Sequence, residues 1–227
     1  CGEISLKSKQ LCNLSIAVAR PDDTLESLSE KVRLASIIGT IQSLATHFPG
    51  LSPEWKQNCE EERLLGVDIT GQMDCPIVQD VEILSKLKQI AIETNLQYAQ
   101  YFGINQSAAI TCVKPSGNSS RLLDCSPGLH PRWSQFYIAN IRVSAYSPIY
   151  QVLRDSGVPM HPENGQSIST ADTWVIHFPV KSPKNSLTRH NLTALQQCDY
   201  WKMVKLNWTE HNPSVTIYYK PDELLSL

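Results

Sequence analysis

The alternation of short β-prone runs with long helical patterns constrains the fold of this chain more than any other feature. An apolar run at residues 14–19 is followed by apolar residues at helical spacing over 25–44. A second run, at 63–71, precedes a helical pattern that we expect to begin near Pro76 and to end at Gly103. Strands separated by helices of this length are typical of α/β domains with parallel strands. We therefore predict an α/β fold.

The second half of the chain continues this alternation. The predicted strands lie at 108–113, 138–143, 173–180 and 214–219, and the predicted helices at 147–155 and 192–206. With 227 residues, the chain is long enough for one large domain or two small ones.

The composition is that of an ordinary globular protein. The hydrophobic content is 41% and the formal net charge is -2, so we expect neither direct nucleic-acid binding nor a membrane span. The seven cysteines include no Cys-x-x-Cys pair and no neighbouring His cluster. This pattern argues against a zinc site and against a disulfide framework. We therefore expect no protein-bound metal ion and a location in the reducing cytoplasm.

Reactive side chains are concentrated at residues 1–12, where the thiols of Cys1 and Cys12 flank the carboxylate of Glu3. Gly2 allows a tight bend, so Cys1 and Glu3 could project from a loop tip toward one small molecule. The Cys1 thiol could act as a nucleophile or as a hydrogen-atom donor and acceptor, and Glu3 could act as a general base. Cys12 could lie across a hairpin and serve as a two-electron reductant. Taken singly, either cysteine could equally be a small core residue.

The segment 114–120, Lys-Pro-Ser-Gly-Asn-Ser-Ser, follows a β-prone run and is a candidate phosphate-binding loop. Free backbone N–H groups at the start of a helical turn bind oxyanions, and Ser hydroxyls add donors. The Lys precedes the glycine, so the segment differs from the Walker pattern. An ordinary polar turn is the alternative interpretation.

Together these segments resemble the catalytic subunit of ribonucleotide reductase, in particular the monomeric, adenosylcobalamin-dependent (class II) ribonucleoside-triphosphate reductases. The family's finger loop reads Asn-Pro-Cys-Gly-Glu-Ile, and this chain begins Cys1-Gly2-Glu3-Ile4. Cys12-Asn13-Leu14 resembles the redox-cysteine segment, and its short distance from Cys1 fits the monomeric type better than the dimeric diphosphate reductases. Further segments resemble the family in the expected order, namely those beginning at Arg63 (Arg-Leu-Leu-Gly-Val), Lys114, Gly157 (Gly-Val-Pro-Met-His-Pro-Glu) and Asn212 (Asn-Pro-Ser-Val-Thr-Ile-Tyr-Tyr). The resemblance covers nearly the whole chain.

The resemblance implies an oxidoreductase that makes deoxyribonucleoside triphosphates for DNA replication, with adenosylcobalamin and its cobalt as the cofactor. Cys1 corresponds to the thiyl-radical cysteine that removes the ribose 3′ hydrogen. Glu3 corresponds to the carboxylate that takes the 3′-hydroxyl proton, and Cys12 to one member of the pair that forms a redox-active disulfide. The residues corresponding to the substrate-phosphate loop are Pro115, Ser116, Gly117, Asn118, Ser119 and Ser120. The resemblance assigns no cobalamin-contacting residue.

The resemblance also implies how much of the family fold is present. That fold is a ten-stranded α/β barrel, and we expect residues 1–227 to be the C-terminal part of the catalytic barrel domain, about half of the barrel, with the finger loop at 1–12. The finger-loop Asn and Pro, the partner of Cys12 and the C-terminal cysteine pair are absent from the sequence. We therefore expect a fragment that is inactive alone and needs the N-terminal half of the same enzyme and a thioredoxin-type reductant. The start at Cys1 could reflect an intein, a split gene or a truncation.

Other functions remain open. A ribonucleoside-diphosphate reductase subunit is the nearest alternative, and a non-catalytic splicing or assembly fragment is another. A thiol hydrolase would need a His within hydrogen-bond reach of Cys1.

Overall fold

The computed structural model describes residues 2–226, without the side chains of residues 225 and 226. Cys1, to which a catalytic role was assigned, lies outside the described residues. The chain divides into two compact units. One consists of the residues up to Trp133 together with those from Pro183 onward, and the other is Ser134–Ser182.

The order of elements follows the predicted alternation in the first unit. The strands are β1 (Asn13–Val18), β2 (Leu65–Thr70), β3 (Thr111–Cys112), β4 (Phe136–Ser144), β5 (Met160–Pro162) and β6 (Thr173–Lys181). The helices are α1 (Leu25–Gln42), α2 (Pro53–Glu62), α3 (Val81–Phe102), α4 (Ser119–Leu122), α5 (Pro148–Asp155) and α6 (Ala194–Asn207), with 3₁₀ turns at Pro76–Gln79 and Pro221–Ser226. No helix of the described chain is long and apolar enough to cross a membrane.

The first unit is built on a parallel sheet in the order β1-β2-β3. Side chains alternate between the two faces of a strand, and the odd-numbered positions of β1 and β2 point toward the helices. The core on this face contains Ala17, Leu65, Val67 and Ile69 from the strands and Leu28, Val32, Leu84, Leu87, Ala91, Val204 and Trp208 from the helices and the end of α6. The even-numbered positions therefore face away from this core.

The long helix α3 begins later than the sequence predicted. Pro76 starts a 3₁₀ turn instead, and α3 begins at Val81. The reason is Asp80, whose carboxylate accepts two N–H groups of the first helical turn and so caps the helix there. The predicted end at Gly103 is confirmed, where the backbone turns left-handed with a φ of 65°.

The predicted strand at 214–219 is not formed. The N–H of Ser214 still donates to the Val113 carbonyl over 2.9 Å, but that of Thr216 donates to His130 Nε2 over 2.9 Å and that of Tyr218 to Gln197 Oε1 over 3.1 Å. A strand needs backbone partners along its length, so the segment remains irregular.

The second unit contains an antiparallel sheet, so the expectation of parallel strands is wrong for this part of the chain. β4 pairs with β6 over its whole length, from Phe136 opposite Lys181 to Ser144 opposite Thr173. The short β5 pairs with β6 as well, which gives the order β4-β6-β5. Helix α5 begins at Pro148, as the sequence predicted. In the described chain each sheet has three strands and neither closes into a barrel.

A buried ion pair joins two loops of the first unit. Arg132 donates to the Asp74 carboxylate from Nε over 3.0 Å and from Nη2 over 2.8 Å. The two side chains are only 3% and 2% exposed. Asp74 also accepts the N–H of Ser126 over 2.7 Å. The pair therefore holds the turn after β2 against the segment that follows α4.

Replacing Arg132 by Met is expected to lower the free energy of unfolding by about 3–5 kcal/mol, because the Asp74 carboxylate would stay buried without its cation. Arg33→Met is the matched control, since Arg33 pairs with Glu30 at the surface, where the side chains are 41% and 53% exposed. That change is expected to leave the free energy of unfolding almost unchanged, because the pair is exposed to solvent. Urea unfolding followed by circular dichroism measures both, and equal losses would contradict the expectation.

Candidate active site

The candidate site lies on the even-numbered face of the first sheet, away from the core helices. The strand register places Leu14 beside Gly66, and Asp68 between Ile16 and Cys112. Side chains at these positions share one face because they are separated by two residues along each strand or paired across strands. The side chains of Asp68 and Cys112 are therefore on the same side of the sheet, and a ligand on this face could contact both.

Gly66 makes room on this face for the N-terminal segment. A Cβ atom at Gly66 would lie 2.4 Å from Leu14 Cδ2, 3.0 Å from Ile4 Cδ1 and 3.2 Å from Cys112 Sγ. Real Cβ atoms do not tolerate contacts this close, so a side chain at Gly66 would force its neighbours to move. Ile4 packs onto the sheet because position 66 is glycine, and this contact holds the adjacent Glu3 near the same face.

Glu3 is anchored through its backbone and keeps one carboxylate oxygen without a partner. The N–H of Asn212 donates to the Glu3 carbonyl over 2.8 Å, and the Asn212 side-chain amide donates to the Gly2 carbonyl over 3.4 Å. Glu3 Oε2 is buried and has no hydrogen-bond partner within residues 2–226. Buried polar atoms are nearly always hydrogen-bonded. The Glu3 oxygen without a hydrogen-bond partner is therefore available to accept a proton or to bind a ligand.

Cys12 is a half-buried free thiol just before β1. Burial raises the pKa of Cys12 to about 12, and the negative charge of Glu3 adds to this rise. The N–H of Asn13 and the charge of Lys114 oppose it. The thiol is therefore protonated at neutral pH. Such a group donates hydrogen but is a poor thiolate nucleophile.

Asp68 is a candidate site residue that sequence reasoning missed. It is fully buried, and its carboxylate accepts the N–H of Lys114 over 3.1 Å and the hydroxyl of Ser116 over 3.0 Å. The pKa of Asp68 is raised to about 7, mainly by burial and to a smaller extent by the charge of Glu3, against the opposing bonds from Lys114 and Ser116 and the Lys114 charge. The available signal was a charged residue inside the apolar run Leu-Leu-Gly-Val-Asp-Ile.

The predicted phosphate loop at 114–120 has the expected local form. It leaves β3, turns at Ser116 with a left-handed φ of 51°, and enters the single helical turn α4. The Ser120 N–H donates to the Ser116 carbonyl over 2.9 Å and closes the turn. Among the described residues, the N–H groups of 117–119 have no hydrogen-bond partner. Free N–H groups in such a turn suit an oxyanion.

Several of the predicted site residues come together on this face. The charge of Glu3 acts on Cys12, Asp68 and Cys112, where burial is in each case the main cause of a raised pKa. Lys114, at the start of the loop, acts on the same three groups in the opposite sense. Glu3, Cys12 and the beginning of the loop therefore share one electrostatic environment, whose relation to Cys1 lies outside the described residues.

The raised pKa of Asp68 predicts a pH-dependent contribution to stability. The folded state keeps the Asp68 proton up to about pH 7, whereas the unfolded chain releases it near the ordinary value of 3.8. The contribution is therefore fully present at acid pH and is lost as the pH rises from about 4 to 7, by an amount on the order of 4 kcal/mol. His130 and His211, whose pKa values burial lowers, act in the opposite direction.

Comparison with Asp68→Asn isolates the carboxyl group from these histidines. Urea unfolding at about pH 5 and about pH 8 should show that the wild type loses stability relative to the variant at the higher pH. An unchanged difference between the two proteins across this range would contradict the assignment.

The fold of the chain is that of the matching part of class II ribonucleotide reductase. A crystal structure of a B12-dependent (class II) ribonucleotide reductase superposes with a TM-score of 0.77 over 98% of this chain and 35% of that protein, at 20% sequence identity. The predicted α/β class and the reductase-type architecture are thereby confirmed, with sheets that are partial rather than a closed barrel.

Curated proteins are also similar to this chain in sequence. The chain is 25% identical to an adenosylcobalamin-dependent ribonucleoside-triphosphate reductase from Euglena gracilis over 98% of its own length, and 28% identical to one from Lactobacillus gasseri over 98%. It covers 30% and 34% of these proteins. The chain thus spans about a third of the length of the curated relatives it matches. No protein-family model matches it. The resemblance stated from the motifs is confirmed: the chain is similar over nearly its whole length to reductases of this type.

Proposed function

We propose that this chain forms part of the active site of an adenosylcobalamin-dependent ribonucleoside-triphosphate reductase. The observation that carries the proposal is the buried, unpartnered Oε2 of Glu3, on the sheet face that also holds Cys12 and the start of the 114–120 loop. A carboxylate placed beside a protonated thiol and a phosphate-binding turn matches the needs of ribonucleotide reduction. The similarity to reductases of this type over 98% of the chain supports the same assignment.

Glu3 acts as the general base for the ribose. Its free carboxylate oxygen accepts the 3′-hydroxyl proton while the 2′-hydroxyl leaves as water. The base must keep an oxygen unoccupied by protein donors for this step, and Glu3 Oε2 meets that requirement among the described residues.

The cysteines supply hydrogen and electrons. Cys1, as a thiyl radical, takes the 3′ hydrogen atom and later returns it. Cys12 and a partner thiol from outside this chain form a disulfide and release two protons and two electrons, which convert the 2′ C–OH group into C–H and water. The raised pKa of Cys12 supports this role, because it keeps the thiol protonated until the electrons are used. A thioredoxin-type dithiol then reduces the disulfide.

The loop binds the substrate phosphates. Its unpartnered N–H groups at 117–119 and the hydroxyls of Ser119 and Ser120 are the donors that would bind these anionic groups. Because the chain carries little net charge, local donors of this kind would provide the recognition.

Adenosylcobalamin, when bound, supplies a carbon radical by homolysis of its cobalt–carbon bond, and a thiol is the group in this site that such a radical can oxidise. That thiol is Cys1, and the described residues fit the steps that follow, since Cys12 is a protonated thiol and Glu3 has a carboxylate oxygen without a hydrogen-bond partner among them. None of them is assigned a contact with the cofactor.

The experiment uses the natural protein that contains these 227 residues, together with any flanking sequence. Purified protein is incubated with adenosylcobalamin, a dithiol reductant and either CTP or CDP, and the deoxycytidine product is quantified. We expect product from CTP that depends on adenosylcobalamin. Product from CDP alone would favour the diphosphate reductase, and no product from either nucleotide would overturn the proposal in favour of a non-catalytic role.

A further inference from the structure

Asp68 holds the beginning of the 114–120 loop with both of its carboxylate oxygens. Oδ1 accepts the N–H of Lys114 over 3.1 Å, and Oδ2 accepts the hydroxyl of Ser116 over 3.0 Å. Asp68 is fully buried in the middle of β2, a strand whose residues are all buried. A rigid strand thus presents a fixed acceptor to a loop that lies 48 residues further along the chain.

Ser116 needs such a restraint because its backbone is in an unfavourable conformation. Its φ of 51° lies in the left-handed region, which favours glycine and costs other residues free energy. The Ser116 side chain is buried against Asp68, and its carbonyl accepts the Ser120 N–H over 2.9 Å. These bonds offset the strain. Without the bond to Asp68, the backbone of Ser116 would be free to return to a negative φ.

The turn at Ser116 sets the direction of the N–H groups that follow it. The N–H groups of 117–119 have no hydrogen-bond partner among the described residues, so their orientation depends on the backbone that precedes them. A change of φ at Ser116 would rotate this row of donors as a unit. The contact between Asp68 and Ser116 therefore controls the geometry of the loop at a distance from any bound phosphate.

We propose that Asp68 is a positioning residue for the substrate: its carboxylate keeps Ser116 in the left-handed conformation and so aligns the N–H groups of the loop with the substrate phosphates. This inference rests on the proposed function and adds a residue with no direct contact to the substrate. It also gives a reason for a carboxylate in a strand where an apolar residue would be easier to bury.

The test asks whether a glycine at position 116 replaces the need for Asp68, since glycine adopts a positive φ without strain. The variants are Asp68→Ala, Ser116→Ala, Ser116→Gly and the double variant Asp68→Ala with Ser116→Gly, all in the natural protein. The KM and kcat for CTP are measured with adenosylcobalamin. Asp155→Ala, which removes an exposed carboxylate at the end of α5, is the matched control.

Asp68→Ala and Ser116→Ala are expected to raise the KM by about tenfold, a loss of the size that a left-handed residue costs. The control should stay within about threefold of the wild type. The KM of Ser116→Gly should be lower than that of Ser116→Ala, and the double variant should recover a KM close to that of Ser116→Gly. A merely structural Asp68 would not be rescued by glycine at a different position.

The outcomes separate the two proposals. A wild type that does not reduce CTP overturns the proposed function itself. An active wild type with an unchanged KM in Asp68→Ala, or a double variant as weak as Asp68→Ala, overturns this inference alone. If Asp68→Ala fails to fold, Ser116→Ala and Ser116→Gly still test the inference, because neither variant alters the strand. Equal KM values for these two variants would contradict the inference.

Discussion

Replacing Cys1 by Ser in the natural protein is expected to reduce the formation of deoxyribonucleotide by at least about 10³-fold. An S–H bond is close in strength to the carbinol C–H bond that it must replace, whereas an O–H bond is too strong for the exchange of a hydrogen atom. Ser preserves the size of the side chain and can still form hydrogen bonds. Nucleotide binding should therefore stay largely intact while turnover is lost.

The measurement is the initial rate of deoxycytidine triphosphate formation, together with equilibrium binding of CTP. Cys198→Ser is the matched control, because Cys198 is also a free, half-buried thiol but lies on α6, among the helices of the first unit. It is expected to keep the wild-type rate. A Cys1→Ser protein with a rate near that of the wild type would show that Cys1 is not the thiyl-radical residue.

Replacing Glu3 by Gln is expected to lower kcat by about 10²–10⁴-fold, the usual contribution of a positioned general base. The amide cannot accept the 3′-hydroxyl proton, although its shape matches that of the carboxylate. The backbone bond between Asn212 and the Glu3 carbonyl does not involve the side chain and should survive the change. Loss of kcat with little change in KM would therefore report the chemistry rather than a displaced segment.

Glu82→Gln provides the control for Glu3, since Glu82 is an exposed residue of the first turn of α3. It should have no effect on kcat or KM. If Glu3→Gln retains full kcat, or if it raises KM alone, Glu3 would be a binding residue and another group would have to serve as the base.

Much of the first unit could be predicted from local pattern. β1, β2 and α1 form close to their predicted positions, as does α5 in the second unit, because the spacing of apolar residues and the caps are encoded within a few neighbouring residues. The local form of the 114–120 segment could be predicted for the same reason, since a strand, a Gly- and Ser-rich turn and a helical turn are contiguous in the sequence, and its phosphate binding stays a prediction.

The errors arose where the partner of a segment is distant. The alternating residues at 214–219 look like a strand, but the N–H groups of Thr216 and Tyr218 donate to the side chains of His130 and Gln197. The antiparallel sheet of the second unit was missed because the direction of pairing between β4 and β6 depends on how the intervening chain returns.

The sequence by itself determined the fold class, the thiol and carboxylate set at residues 1–12 and the loop that suits a phosphate, because each of these depends on residue type and short-range spacing. Only the tertiary structure decided what surrounds them. It placed Ile4 over Gly66, left one Glu3 oxygen without a partner among the described residues, and buried Asp68 against Ser116. The physical reason is that burial, strain and pKa depend on which strands become neighbours, and residues as far apart as Asp68 and Ser116 meet only when the sheet has formed.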